Sequence, residues 1–107
     1  MASIFPIIAQ GIAKSPGTII YNPSVGNEGL VNNIRINNTV NTAYTIALYR
    51  YIKTKQVSIL LYRVALKAGD WINDDTDYSI KSGDYLFLET DNDTTVYVIN
   101  GRENLSP

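Results

Sequence analysis

The stretch AYTIALYRYIKTKQVSILLYRVALK, Ala43 to Lys67, decides the fold of this chain. Its first run, Thr45 to Ile52, and its second, Val57 to Leu66, are rich in β-branched and aromatic residues and contain neither Gly nor Pro, which favours strands over helices. The polar Lys53-Thr54-Lys55-Gln56 between them has the length of a hairpin connection, so the two runs are expected to pair as antiparallel neighbours.

Side chains alternate across a strand, so the pairing register decides which of them stand together. One register sets Ile46 and Leu48 beside Leu60, Tyr62, Val64 and Leu66 as a core face. The opposite face then carries Thr45, Arg63 and Lys67, but also Tyr49, Tyr51, Ile59 and Leu61. A sheet with one wet side alternates cleanly, and this hairpin does not. Its second face therefore needs a cover. Two covers fit: the N-terminal arm of the same molecule, or a subunit or partner.

Upstream, Ile4 to Ala13 reads as an edge strand or an extended arm, because Pro6 keeps it out of a helix interior and out of a central strand. Ser15-Pro16-Gly17 makes a turn, Gly17 to Tyr21 a short strand, Asn22 to Gly29 a loop, and Leu30 to Asn37 a further strand. Downstream, Ala68-Gly69-Asp70-Trp71 and Ser82-Gly83-Asp84-Tyr85 are two similar turns, in which Gly takes a backbone angle that other residues resist. Asp77 to Lys81, Tyr85 to Thr90 and Thr94 to Asn100 complete the strands, and no segment reads as a helix. The pattern predicts an all-β, small antiparallel β-sandwich of about seven to eight strands, with a jelly roll among its possible forms. The expected organisation is an arm or edge strand over 1–16, a sandwich domain over 17–101 and a flexible tail over 102–107.

At 107 residues the chain has the size of one domain, able to bury roughly two thirds of the surface of its unfolded form. Its net charge of -1 leaves no electrostatic footprint for nucleic acid or an anionic membrane. No apolar run approaches the ~20 residues of a membrane-spanning helix. The apolar opening lacks a basic leader and is broken by Pro6 and Gly11, so it is not read as a signal peptide.

With no Cys and no His, the chain has no disulfide, no thiolate nucleophile, no Ser-His pair and none of the usual zinc sites. Asp70, Asp74, Asp75, Asp77 and Asp84 are the one concentration of hard-cation ligands, but Asn73 to Asp77 lacks the Gly and the distal Glu of a calcium loop. They read as turn carboxylates. No enzyme activity and no cofactor are expected. Trp71 and the tyrosines have the chemistry to stack on sugars, which keeps a carbohydrate- or receptor-binding module as the alternative reading.

Between Ile46 and Gly101, the runs LYRVALKAGD, YSIKSGDYL and VYVING resemble small β-sandwich structural proteins of tailed bacteriophage virions. The resemblance covers about the C-terminal half of the chain. It implies a non-enzymatic, repeated component of a virus particle, an auxiliary capsid, decoration or tail-associated protein that assembles as a homo-oligomer with other virion proteins. The expected interface residues are Ile4, Phe5, Ile7 and Ile8 of the arm and Tyr49, Tyr51 and Ile59 of the hairpin. An arm reaching beyond its own sandwich should be removable, by deletion of residues 1 to 12, without loss of the fold.

Overall fold

The structure is a computed structural model that describes residues 5–105. Among these it has nine strands: β1 (Ile7–Ala13), β2 (Gly17–Tyr21), β3 (Asn27–Asn37), β4 (Tyr44–Ile52), β5 (Val57–Leu66), β6 (Trp71–Asp74), β7 (Tyr78–Ile80), β8 (Tyr85–Thr90) and β9 (Thr95–Leu105). They form two antiparallel sheets. The five-stranded sheet runs β1-β9-β3-β6 with β7 also on β3, and the four-stranded sheet runs β2-β8-β4-β5. The chain changes sheet at every connection except the β4–β5 hairpin and the step from β6 to β7, which lie end to end along β3. With β6 and β7 counted as one interrupted strand, this is the eight-strand order of a jelly roll.

Between the sheets the alternation in each strand delivers one apolar set. Val31, Ile34, Ile36 and Ile99 come from the five-stranded sheet, and Ile46, Leu48, Leu66, Leu86 and Leu88 from the four-stranded one. Asn38 is fully buried where the chain crosses from β3 to β4. Its amide donates to the carbonyls of Thr42 and Leu66 and its own oxygen accepts the N–H of Val40, so burying it leaves none of these groups unpaired.

The two Gly-Asp turns are the same device. In Lys67 to Asp70 and Lys81 to Asp84 the fourth residue donates its N–H to the carbonyl of the first, and Gly69 and Gly83 take φ of +75° and +91°. Ser24 to Asn27 repeats the pattern with Gly26 at +85°. A positive φ at the third position is the type II requirement that Gly meets without strain.

The structure corrects the sequence reading at four places. Leu48 pairs with Tyr62 and Tyr49 with Leu60, so Leu61 is an extra residue, a β-bulge that turns Leu60 to the outer face beside Tyr49. Leu60 is accordingly 45% exposed and does not join the core. β3 begins at Asn27, because the turn at Gly26 leads straight into pairing with β9. The expected tail is strand as far as Leu105: residues 101–105 pair with residues 27–31, and the Glu103 carboxylate accepts the backbone N–H of Ser24 and the amide of Asn27. Trp71 to Asp74 is a ninth strand, held on β3 by its backbone and by Asn33, which donates to Asn73.

Candidate protein-interaction surface

The outward face of the four-stranded sheet is assembled by register. Ile19 of β2 pairs with Phe87 of β8, Phe87 with Tyr49 of β4, and Tyr49 with Leu60 of β5, so four large apolar side chains cross the whole sheet in one row. Tyr85, Tyr51 and Ser58 form the next row, with the rings of Tyr51 and Tyr85 stacked at 4.6 Å between centroids. On the other side lie Gly17, Glu89, Ala47 and Arg63. A side chain at Gly17 would meet the Phe87 ring at 2.2 Å, so the missing Cβ is what lets that ring lie against Gly17.

Charged groups frame the row on one side. Arg63 reaches Glu89 at 3.5 Å across Ala47 and donates to the Tyr49 hydroxyl at 2.8 Å, which fixes that ring. Tyr49, Ser58, Tyr85, Phe87 and Glu89 line a shallow hollow of about 260 Å³. Ile19 is 47% exposed and Leu60 nearly as much, although covering a side chain of this size would contribute roughly 1.5–3 kcal/mol.

This face runs onto an open edge. β5 pairs with β4 alone among the described residues, and Val57, Ile59, Leu60 and Val64 are all exposed along it. Proteins usually blunt such an edge with charges, Pro or a bulge. β5 has the bulge at Leu61 and one charge, Arg63, and the stretch Val57 to Leu60 has neither charge nor Pro.

The expected interface residues divide between the two sheets. Tyr49 and Tyr51 lie on this outward face. Ile59, paired with Arg50, is brought to the core-side face by the bulge and stays exposed at the open edge. Ile4 lies outside the described residues. Phe5, Ile7 and Ile8 belong with the other sheet: the Phe5 carbonyl accepts the Asn100 amide, its ring lies 5.6 Å from the Arg102 guanidinium, Ile7 pairs with Asn100, and Ile8 packs on the core. The segment from Ile7 to Ala13 is thus an edge strand of its own sandwich, so removing residues 1 to 12 would strip β9 of one of its two neighbours rather than free a loose arm. Nor does it cover the hairpin face.

Sequence reading missed Ile19, Leu60, Tyr85 and Phe87 as members of one surface. The signal lay in YLFLET, where Tyr85, Phe87 and Glu89 alternate with the buried Leu86, Leu88 and Thr90, giving a strand apolar on both faces.

Trp71, the expected stacking platform, stands exposed on edge strand β6 of the opposite sheet, paired with Asn37. Three of the five clustered acidic side chains are engaged by hydrogen bonds: Asp74 accepts from Tyr78 and from the Thr76 N–H, Asp75 from Asn33, and Asp84 from the Lys53 N–H. Burial foremost, and then the Asp74 carboxylate, pushes the Tyr62 and Tyr78 phenols above the ordinary value of 10.0, so both stay protonated near neutral pH.

No protein-family model matches the chain, and no curated protein matches it. The fold is similar to that of Drosophila NLP-core, whose crystal structure is described as providing insight into pentamer formation and histone binding. The TM-score is 0.53 at 10% identity, over 89% of this chain and 95% of that one. At that identity the likeness shows the fold alone.

Proposed function

We propose that the protein is a non-enzymatic structural component of a bacteriophage particle, an auxiliary capsid, decoration or tail-associated protein. It assembles as a homo-oligomer and contacts other virion proteins through the outward face of the four-stranded sheet and the β5 edge. The observation that carries this reading is the continuity of the two surfaces: an apolar row across four strands runs directly onto an edge with unpaired backbone groups. Each alone is a liability in a free monomer, and together they make one contact surface. The resemblance of the C-terminal half to phage structural proteins supplies the setting. The jelly roll agrees with it, being an architecture of capsid and lectin domains, although a fold does not fix a function. That NLP-core, on a similar fold, is described in terms of pentamer formation supports self-association of a sandwich of this build. Purified particles imaged with a label on this chain should show it at symmetry-repeated positions; a chain never found in particles contradicts the reading.

The hollow beside Tyr49, Tyr85 and Phe87 favours a second reading, a carbohydrate- or receptor-binding module, since aromatic rings with Ser58 and Glu89 at their margin suit a sugar. A glycan array separates the two. Binding abolished by Tyr85→Ala would favour the second reading, and a blank array the first.

A further inference from the structure

At the end of the sandwich where β4 turns into β5, a second cavity opens between the sheets. It holds about 330 Å³ and is lined by Arg50, Ile52, Thr54, Lys55, Lys81, Ser82 and Asp84. Arg50 lies on the core-side face of β4, two residues beyond Leu48, and crosses to the other sheet, where its Nη2 donates to the Ser79 carbonyl on β7. Its Nε is buried and has no hydrogen-bond partner among the described residues. The Nε itself is closed off from solvent, so Arg50 offers the cavity its positive charge rather than that N–H.

The other lining groups suit the same acceptor. Lys55 comes from the hairpin turn and Lys81 from the turn before β8, so cations approach from two elements. The Ser82 oxygen accepts the N–H of Gly26, which leaves its own proton to donate. Asp84 is the one carboxylate in the lining, and its Oδ1 is occupied by the Lys53 N–H. Three cations against one carboxylate leave the cavity two positive charges in a chain whose net charge is -1.

We propose that this cavity binds a phosphate dianion, either free or as a monoester on a larger molecule. Two excess charges match the dianion, and the donors of two ammonium groups and a hydroxyl beside the guanidinium charge match an anion with several acceptor oxygens. Sequence order hides the site, because Arg50, Lys55 and Lys81 are spread over three elements that only the jelly-roll crossing brings to one end.

The test is a titration of the full-length protein with inorganic phosphate and, separately, with phenyl phosphate, at constant ionic strength and with chloride as the control anion. Amide NMR shifts are followed. The expected result is saturable shifts confined to Thr54, Lys55, Ser82 and Gly83, weakened at least tenfold in the Lys55→Ala/Lys81→Ala double variant and retained in Lys81→Arg. Phenyl phosphate binding should also weaken below pH of about 6, where a monoester loses its second charge. Tighter binding of phenyl phosphate would identify the ligand as an ester, and equal or tighter binding of inorganic phosphate as the free anion. Shifts that spread over the surface, fail to saturate, or persist unchanged in the double variant would overturn the proposal. Both lysines are exposed, so the double variant is expected to keep its fold.

Discussion

The two outward faces of this sandwich are built on the same pleat and treat their side chains in opposite ways. On the five-stranded sheet, the outer row positions of β3, β6 and β9 hold Asn33, Arg35, Asn37, Asn73 and Asn100 beside Val96, Val98 and Trp71. The polar ones bond one another and the nearby backbone: Asn33 donates to Asn73 at 2.7 Å, Arg35 to Asn100 at 3.1 Å, and Asn37 to the Asp70 carbonyl at 3.0 Å, with the Arg35 Nε left buried and without a partner among the described residues. Ile12 and Trp71, exposed at the two edges of that sheet, are kept apart by Val96 and Asn37 in the row between them. On the four-stranded sheet the corresponding rows hold Ile19, Phe87, Tyr49, Leu60, Tyr85 and Tyr51, and the apolar line is unbroken. A face whose polar side chains largely bond one another gains less from a partner. A face of contiguous apolar area with an open edge gains free energy from one.

The comparison breaks first if the bulge at Leu61 is wrong. Leu48→Ala should cost about 2–5 kcal/mol in chemical denaturation, because it leaves a cavity between the sheets, whereas Leu60→Ala should cost under about 1 kcal/mol, as a half-exposed outer position does. Equal losses at the two sites would return Leu60 to the core and remove it from the apolar row.

Next in size is the polar face. Asn100→Ala removes both the acceptor of Arg35 and the donor to the Phe5 carbonyl, a loss of roughly 0.5–1.5 kcal/mol for each bond. Ile19→Ser, on the opposite face, should fall below that in the free monomer, since the side chain is already half in water. If the order reverses in thermal melts, the polar network is ornamental and the aromatic face is part of the monomer's own stability.

The smallest effect expected is a pH dependence at Glu103. Burial acts against its ionised form, but the Ser24 N–H and the Asn27 amide hold the carboxyl below its ordinary value of 4.5. A depressed folded-state value means that the carboxylate's contribution is complete above about pH 4.5 and is lost as the pH falls through the lower folded value. Glu103→Gln should therefore lower the melting temperature slightly at neutral pH and flatten its fall on the acid side. An acid limb unchanged by the substitution would remove Glu103 as the clamp on the end of β9.

Much of the fold was legible because local chemistry agreed with the global pattern. The hairpin at Lys53 to Gln56, the two Gly-Asp turns and the β-branched runs each specify their own structure within a few residues. What was not legible depended on a neighbour. The Leu61 bulge is a choice of register, invisible in a strand that is apolar on both faces. β6 carries a single inward apolar side chain, Ile72, so no alternation announces it. The polar end of β9 is strand only because β3 runs beside it. The candidate surface was half legible: Tyr49 and Tyr51 were visible in the hairpin, whereas Ile19 and Phe87 join them only once the jelly-roll order places β2 and β8 beside β4.

The proposed function requires the outward face of the four-stranded sheet and the β5 edge to join this chain to further copies of itself. Its most direct test is the solution mass of the full-length protein by light scattering or sedimentation, set against Leu60→Lys on this face and Gln10→Lys on the opposite one. Both positions are exposed, so neither change should disturb the monomer's fold. The expected result is a defined oligomer for the unaltered chain and for Gln10→Lys, and for Leu60→Lys a monomer or an association at least tenfold weaker at the same melting temperature of the dilute chain. A monomer at every concentration, or an oligomer indifferent to Leu60→Lys, would contradict it.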